Sequence, residues 1–301
     1  MSDIWTWLSE PFQYAFMQRA LLAVAMVSVV SAVIGAFIVL KGMAFIGDAL
    51  AHASFAGVAI AFVLGGSIYL GAVIAAIATA MAIGYVGRRA RLSLDTAIGI
   101  LFVGAFALGI VIISRQSNYT VDLFSFVFGN VLGVGRRDLL IIGAMSATVI
   151  AVVAAFYKEL LFFSYDPEMA AASGIPVRLL HYGLLTLIAV SAVVALKAVG
   201  IVLVVAMLVT PAATAALLVR RLHLIMIGGA LCGLASSVIG LYVSYYASVA
   251  TGAAIVLVAT SLFMLALIFS PQRGLLAAMR RPAEFYEMER RPAPSTPPDV
   301  V

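Results

Sequence analysis

Seven stretches of 18 or more residues contain no Asp, Glu, Lys or Arg: 20–40, 49–87, 96–114, 139–157, 179–196, 198–219 and 222–272. A helix needs roughly 20 mainly apolar residues to cross the hydrocarbon core of a bilayer. Two of the runs are long enough for two crossings each. A soluble domain carries about 25% charged residues, whereas here 10% are charged and 64% are hydrophobic. Mean hydropathy is +1.17. Such a chain cannot cover a water-facing surface, and it reads as an all-α polytopic membrane helix bundle.

Spans are expected at about 18–40, 46–65, 67–87, 94–113, 139–157, 179–196, 198–219, 223–246 and 251–270. Gly65-Gly66-Ser67 divides one long run and Ala250-Thr251-Gly252 the other. The count is about nine, with eight as the alternative should Pro211 break its helix. With the N-terminus outside, thirteen Lys and Arg fall on the inside and five (Arg19, Arg115, Arg136, Arg137, Lys197) outside, out of 18 in all. That bias places the C-terminus in the cytoplasm of a bacterial inner membrane. The net charge of +5 therefore reports topology and not a nucleic-acid partner.

Three segments lie at the margins. Residues 1–17 read as an outer interfacial segment, with Trp5, Trp7, Phe12 and Tyr14 at headgroup depth and no signal-peptide pattern. The apolar stretch 121–135 is too short to span and reads as an interfacial or re-entrant helix on the outer side. Residues 273–301 form a charged, then Pro-rich, cytoplasmic tail that is partly disordered by composition. The permease body is 18–272. The single Cys232 excludes a disulfide framework or thiolate metal site within one chain.

Two polar constellations stand out. In KGMAFIGDALAHASFAG (41–57), Asp48 and His52 are four apart on one helix face, near the start of the second span. Ionisable groups inside a membrane face a cavity or the bundle interior. A carboxylate with an imidazole suits Mn²⁺, Fe²⁺ and Zn²⁺. Small neighbours (Gly47, Ala49, Ala51, Ala53, Gly57) permit close helix approach. Two copies of the helix about a dimer axis would offer two Asp and two His. Spacing alone leaves a second reading open, in which Asp48 caps the helix and His52 makes an interhelical hydrogen bond.

The second constellation is SYDPEMAAASGIPVRLLH (164–181). Asp166 fits an N-cap, Pro167 the first helical position and Glu168 the first turn. Gly174 fits the position after the C-cap, and Pro176 follows the stop. A helix of about two turns on the basic side suits either a docking element or an interfacial connector. Elsewhere, Asp95 reads as the cap of the fourth span and Lys197 as a residue snorkelling to the outer interface. His181 and His223 take structural or solvated positions near the inner surface. Asn130 lines a pore or bonds a backbone group.

Taken together, FMQRALLA, GDALAHASFAGVA, SLDTAIGILF, FGNVLGV, DPEMAAASGIPV and KAVGIVLVVAMLVTPAATA resemble the permease family of ABC importers for zinc, manganese and iron, over about residues 8–272. The resemblance implies a homodimer on two cytoplasmic ATP-binding subunits, supplied by an extracytoplasmic metal-binding protein. It implies Asp48 and His52 as metal ligands of the path. It also implies a coupling helix at 166–176, carried by Asp166, Pro167, Glu168, Ala171, Gly174 and Pro176. The chain itself is then no enzyme and binds no cofactor. ATP resides on the partner subunit, and Zn²⁺, Mn²⁺ or Fe²⁺ is the cargo.

The chain has no GxxxxGK[ST] phosphate loop, in keeping with that division of labour. A siderophore, haem or cobalamin permease would leave the Asp48/His52 pair without a role. A secondary metal transporter would need relay carboxylates in several spans. An intramembrane metalloprotease would need an HExxH motif, which is absent.

Overall fold

The computed structural model describes residues 10–90, 92–115 and 131–270. Among them there are helices and no strands. A 3-10 turn at Glu10–Gln13 leads into α1 (Ala15–Leu40), α2 (Ile46–Val63), α3 (Ile68–Arg89) and α4 (Leu94–Ser114). After a second 3-10 turn, Val131–Gly133, come α5 (Arg136–Ala155), α6 (Tyr157–Tyr165) and α7 (Pro167–Ala172). The chain continues through α8 (Val177–Val199), α9 (Ile201–Leu218), α10 (Leu222–Ala247) and α11 (Thr251–Phe269). In lipid the backbone must satisfy its own polar groups, which leaves the helix as the local solution for apolar runs of this kind.

Each of the nine expected spans is a helix. Eight are long and apolar enough to cross a membrane, and the ninth, α9 (18 residues), is apolar over Leu203–Leu218. Helix α9 continues through Pro211 without breaking. The order of nine apolar helices therefore stands, eight of them meeting the length and hydropathy of a membrane span among the described residues. The N-terminal residues 1–9, most of the 121–135 segment (with Asn130), and the tail from 271 lie outside the described residues. So does the Lys197 side chain.

Helices α1 and α2 are the most buried, and α11, α4 and α5 the least. Helix α1 packs against α5, α8, α9 and α10; α2 packs against α3, α4, α8 and α9. The small residues of α2 set these distances. A Cβ on Gly57 would strike the Gly71 carbonyl of α3 and come within 2.6 Å of Ala75 Cβ. A Cβ on Gly109 of α4 would come within 2.7 Å of Phe55 and 3.0 Å of the Ala56 backbone. A Cβ on Gly47 would approach Leu208 of α9 to 2.8 Å. The small face expected to serve a symmetric partner is thus largely occupied within the chain, against α3, α4 and α9.

Three contacts define one end of the bundle. Lys41 Nζ, at the α1–α2 turn, donates to the Phe163 carbonyl of α6 at 3.4 Å. Tyr165 OH donates to the Arg220 carbonyl, between α9 and α10, at 3.5 Å. Ser270 Oγ, after α11, donates to the Leu217 carbonyl of α9 at 2.6 Å. Helices α6 and α7 share this end with the α1–α2 turn, the α9–α10 connection and the end of α11.

Two local expectations are corrected. The N-cap of α4 is Ser93, whose Oγ accepts from Thr96 N–H at 3.1 Å. Asp95 lies one position inside the first turn, where its charge complements the helix dipole without capping it. Between the fifth span and the capped helix α7 the chain forms α6, where the sequence reading places no helix.

Candidate functional site

The first turn of α2 carries Asp48, and the next turn carries His52. Between Ile46 and Ala59 these two are the only residues of α2 that are not buried. The His52 side chain is 27% exposed and that of Asp48 34%. His52 Nδ1 lies 3.0 Å from Asp48 Oδ1 and 3.0 Å from the Asp48 carbonyl oxygen. Both neighbours are acceptors, so Nδ1 carries the proton and donates. In the neutral imidazole this leaves a lone pair on Nε2, the arrangement in which a second-shell acceptor fixes the tautomer of a ligating histidine. Asp48 Oδ2 is the carboxylate oxygen that does not face His52 Nδ1, an oxygen donor of the kind that suits a divalent cation.

The ring of His52 is held on a second side by α4. Phe102 and Phe106 present edges to it, with centroids 5.9 Å and 5.4 Å away. Phe106 packs in turn on Phe55, at 5.6 Å. These aromatics border the pair and limit the rotamers of His52. Their spacing, four apart, marks a common face of α4, but only the packing of α4 on α2 shows what that face meets. Among the described residues no group of three or more His, Cys, Asp or Glu side chains converges.

The capped segment 166–176 forms the expected way. Asp166 is the N-cap of α7, and its Oδ1 accepts from Met169 N–H at 2.9 Å. Pro167 opens the helix. At the far end Gly174 takes φ +81, the left-handed conformation that glycine adopts without strain. Gly174 N–H donates to the Ala171 carbonyl at 3.1 Å and Ile175 N–H to the Ala170 carbonyl at 3.1 Å. This is the paired-bond C-cap that satisfies otherwise orphaned carbonyls. Only Ala170 of the helix is buried; Pro167, Glu168, Met169, Ala171 and Ala172 are exposed. Tyr165 and Met169, at 54% and 56% exposure, add apolar area beside them.

The two constellations are separate. Asp48 and His52 lie within the second span, and Asp166 to Pro176 lie at the bundle end. Lys41 joins their neighbourhoods, a role its charge alone did not announce. Burial pushes its ammonium below the usual lysine range. His181 sits half-buried, edge-on to Phe163 and Tyr182 at 6.3 Å and 5.5 Å.

Comparison with known proteins places this architecture. The manganese transport system membrane protein MntC of Halalkalibacterium halodurans is 46% identical over 288 residues, covering 96% of this chain and 99% of that one. The chelated iron transport system membrane protein YfeD of Yersinia pestis is 37% identical over 270 residues, covering 90% of this chain and 91% of that one. 

 

The solved structure of PsaBC from Streptococcus pneumoniae in complex with Fab superposes with a TM-score of 0.82 at 36% identity, covering 92% of this chain and 99% of that chain. The ABC 3 transport family matches residues 13–270, which include every span, the Asp48/His52 pair and the capped helix α7. The chain therefore belongs to the ABC 3 transport family, as a multi-pass membrane permease.

Proposed function

We propose that this permease carries a divalent transition metal, with manganese as its cargo, into the cell in an ATP-driven importer. The observation that carries the proposal is the Asp48/His52 pair: two partly exposed ligand groups on a helix otherwise buried from Ile46 to Ala59, with Nε2 and a carboxylate oxygen left to coordinate. Carboxylate and imidazole oxygen and nitrogen donors suit Mn²⁺. Relatives from Halalkalibacterium halodurans and Listeria monocytogenes, 46% and 48% identical, are named for manganese transport. That naming supports manganese over iron and zinc.

One chain offers two ligands, so a homodimer supplies the four of a closed site, two Asp and two His. The ion must leave as readily as it enters, and a transient site with retained water serves this better than a rigid cage. An extracytoplasmic metal-binding protein delivers the ion to the outer face. The N-terminus lies outside and the tail inside, as the bias of thirteen basic residues to five supports.

Energy enters through α7. Its exposed face docks on a cytoplasmic ATP-binding subunit, one for each permease copy, and ATP-driven closure of those subunits moves the paired helices. Ala171→Pro removes an interior N–H and clashes with the preceding turn, at a cost of about 3 kcal/mol to a helix this short. ATP hydrolysis by the assembled transporter is then expected to lose its stimulation by the loaded delivery protein, with metal uptake lost in parallel. Stimulation and uptake at wild-type levels would make α7 a connector only. The metal is tested by competition: excess Mn²⁺ is expected to suppress uptake of labelled manganese more strongly than equal Zn²⁺ or Fe²⁺.

A further inference from the structure

Lys41 is the first residue after α1, and its backbone has little freedom. Gly42 N–H donates to the Val39 carbonyl at 3.2 Å and Met43 N–H to the Ile38 carbonyl at 3.0 Å. Ile46 N–H then donates to the Met43 carbonyl at 3.1 Å, and Ala49 N–H to the Phe45 carbonyl at 3.0 Å. Consecutive hydrogen-bonded turns thus run from Lys41 into the turn of α2 that bears Asp48.

The Lys41 side chain reaches away from α2 to α6. Its Nζ lies 3.7 Å from the centre of the Phe163 ring and 3.4 Å from the Phe163 carbonyl oxygen. Phe163 is itself buried, in the last turn of α6, three residues before the Asp166 cap of α7. Its carbonyl is among the last four of a helix, which lack intrahelical partners and carry the negative end of the dipole. Among the described residues no carboxylate lies within ion-pair distance of Lys41. The π face and the helix-terminal carbonyl therefore stand in for a counter-ion.

We propose that Lys41 is a positioning residue that couples the docking segment α6–α7 to the Asp48/His52 helix. Displacement of α7 moves Phe163, and the cation lodged on Phe163 draws the α1–α2 turn with it. This rests on the function proposed above, because it presumes that α7 docks on an ATPase and that α2 carries the ion. The device is a local one: a single side chain bridges two elements that the fold otherwise joins through α1 and α8.

The test uses the full transporter in vesicles, with its ATP-binding subunits, measuring labelled Mn²⁺ taken up per ATP hydrolysed. Lys41→Met keeps the apolar stem and removes the cation. It is expected to assemble with the ATPase and retain basal hydrolysis, while manganese moved per ATP falls about tenfold. Lys41→Arg, which keeps a cation able to sit on the ring and donate to the carbonyl, is expected to restore most of the coupling. Should Lys41→Met fail to assemble, Phe163→Leu carries the test, since it keeps the carbonyl and removes the ring. Unchanged manganese per ATP in the assembling variant overturns the proposal. A wild-type transporter that moves no manganese under ATP instead overturns the function on which it rests.

Discussion

His52→Ala and Asp48→Ala are each expected to reduce manganese uptake by cells to the level of a strain lacking the permease, while the protein still reaches the membrane and binds its ATPase. The two losses have different origins. Removing His52 deletes the Nε2 donor and leaves Asp48 without the partner at 3.0 Å that orients it. Removing Asp48 leaves His52 Nδ1 bonded only to the backbone carbonyl of residue 48 and removes the negative charge that favours a dication. Both side chains are partly exposed, so truncation opens no large cavity in the core, and stability should change by about 1 kcal/mol or less. Size-exclusion profiles and uptake of labelled Mn²⁺ measured on the same preparations separate loss of the site from loss of the fold. Wild-type uptake in both variants would remove the ligand assignment.

Gly57→Leu is expected to abolish the folded permease. Helices α2 and α3 meet backbone to backbone at Gly57 and Gly71. A Cβ on Gly57 collides with the Gly71 carbonyl, and one on Gly71 comes within 2.7 Å of Ala61 Cβ. Neither obstacle is the movable end of a flexible side chain. In a bilayer, where lipid is as apolar as the protein, close packing of small residues is a main source of helix association. Forcing the helices apart also displaces α2 from α4, which positions His52. Even Gly57→Ala should cost about 1–3 kcal/mol by overpacking. Gly183→Ala is the control, since nothing lies within 4 Å of a Cβ there. That substitution should be neutral or stabilise the helix by up to about 1 kcal/mol. Fluorescence-detected size exclusion and thermal denaturation in detergent report both outcomes; a monodisperse Gly57→Leu protein of wild-type stability would contradict the packing account.

What could be read from the sequence follows from how local each determinant is. Span positions were legible because the bilayer imposes a length and a polarity on each segment, and the charge-free runs mark both. Helix α7 was legible nearly to the residue because its stops are local: Asp166 bonds Met169 N–H, and Gly174 sits in a conformation few other residues tolerate. The neighbouring α6 was not. Lys158 and Glu159 end the apolar run, and nothing in the nine residues Tyr157–Tyr165 signals a separate start, because Phe156 interrupts the helix without a capping side chain. The cap of α4 lies two positions before Asp95, because Ser93 is an equally good cap.

The Asp48/His52 pair was legible as a pair, since spacing of four puts two residues on one helix face. Its surroundings were not. Phe102 and Phe106 reach His52 through the packing of α4 on α2, and Lys41 reaches Phe163 across more than a hundred residues of chain. The small residues of α2 were legible as a close-packing face, but their partners turned out to lie within the chain, at Gly71, Gly109 and Leu208. Pairwise contacts between distant segments are set by tertiary packing, and one-dimensional patterns do not carry them.

The most direct test of the central claim is uptake of labelled Mn²⁺ by vesicles containing the purified permease with its ATP-binding subunits, with the loaded delivery protein on the outer face. The account predicts accumulation that requires ATP on the cytoplasmic side and disappears in the Asp48→Ala, His52→Ala double variant. No ATP-dependent accumulation, or accumulation undiminished in the double variant, would contradict it.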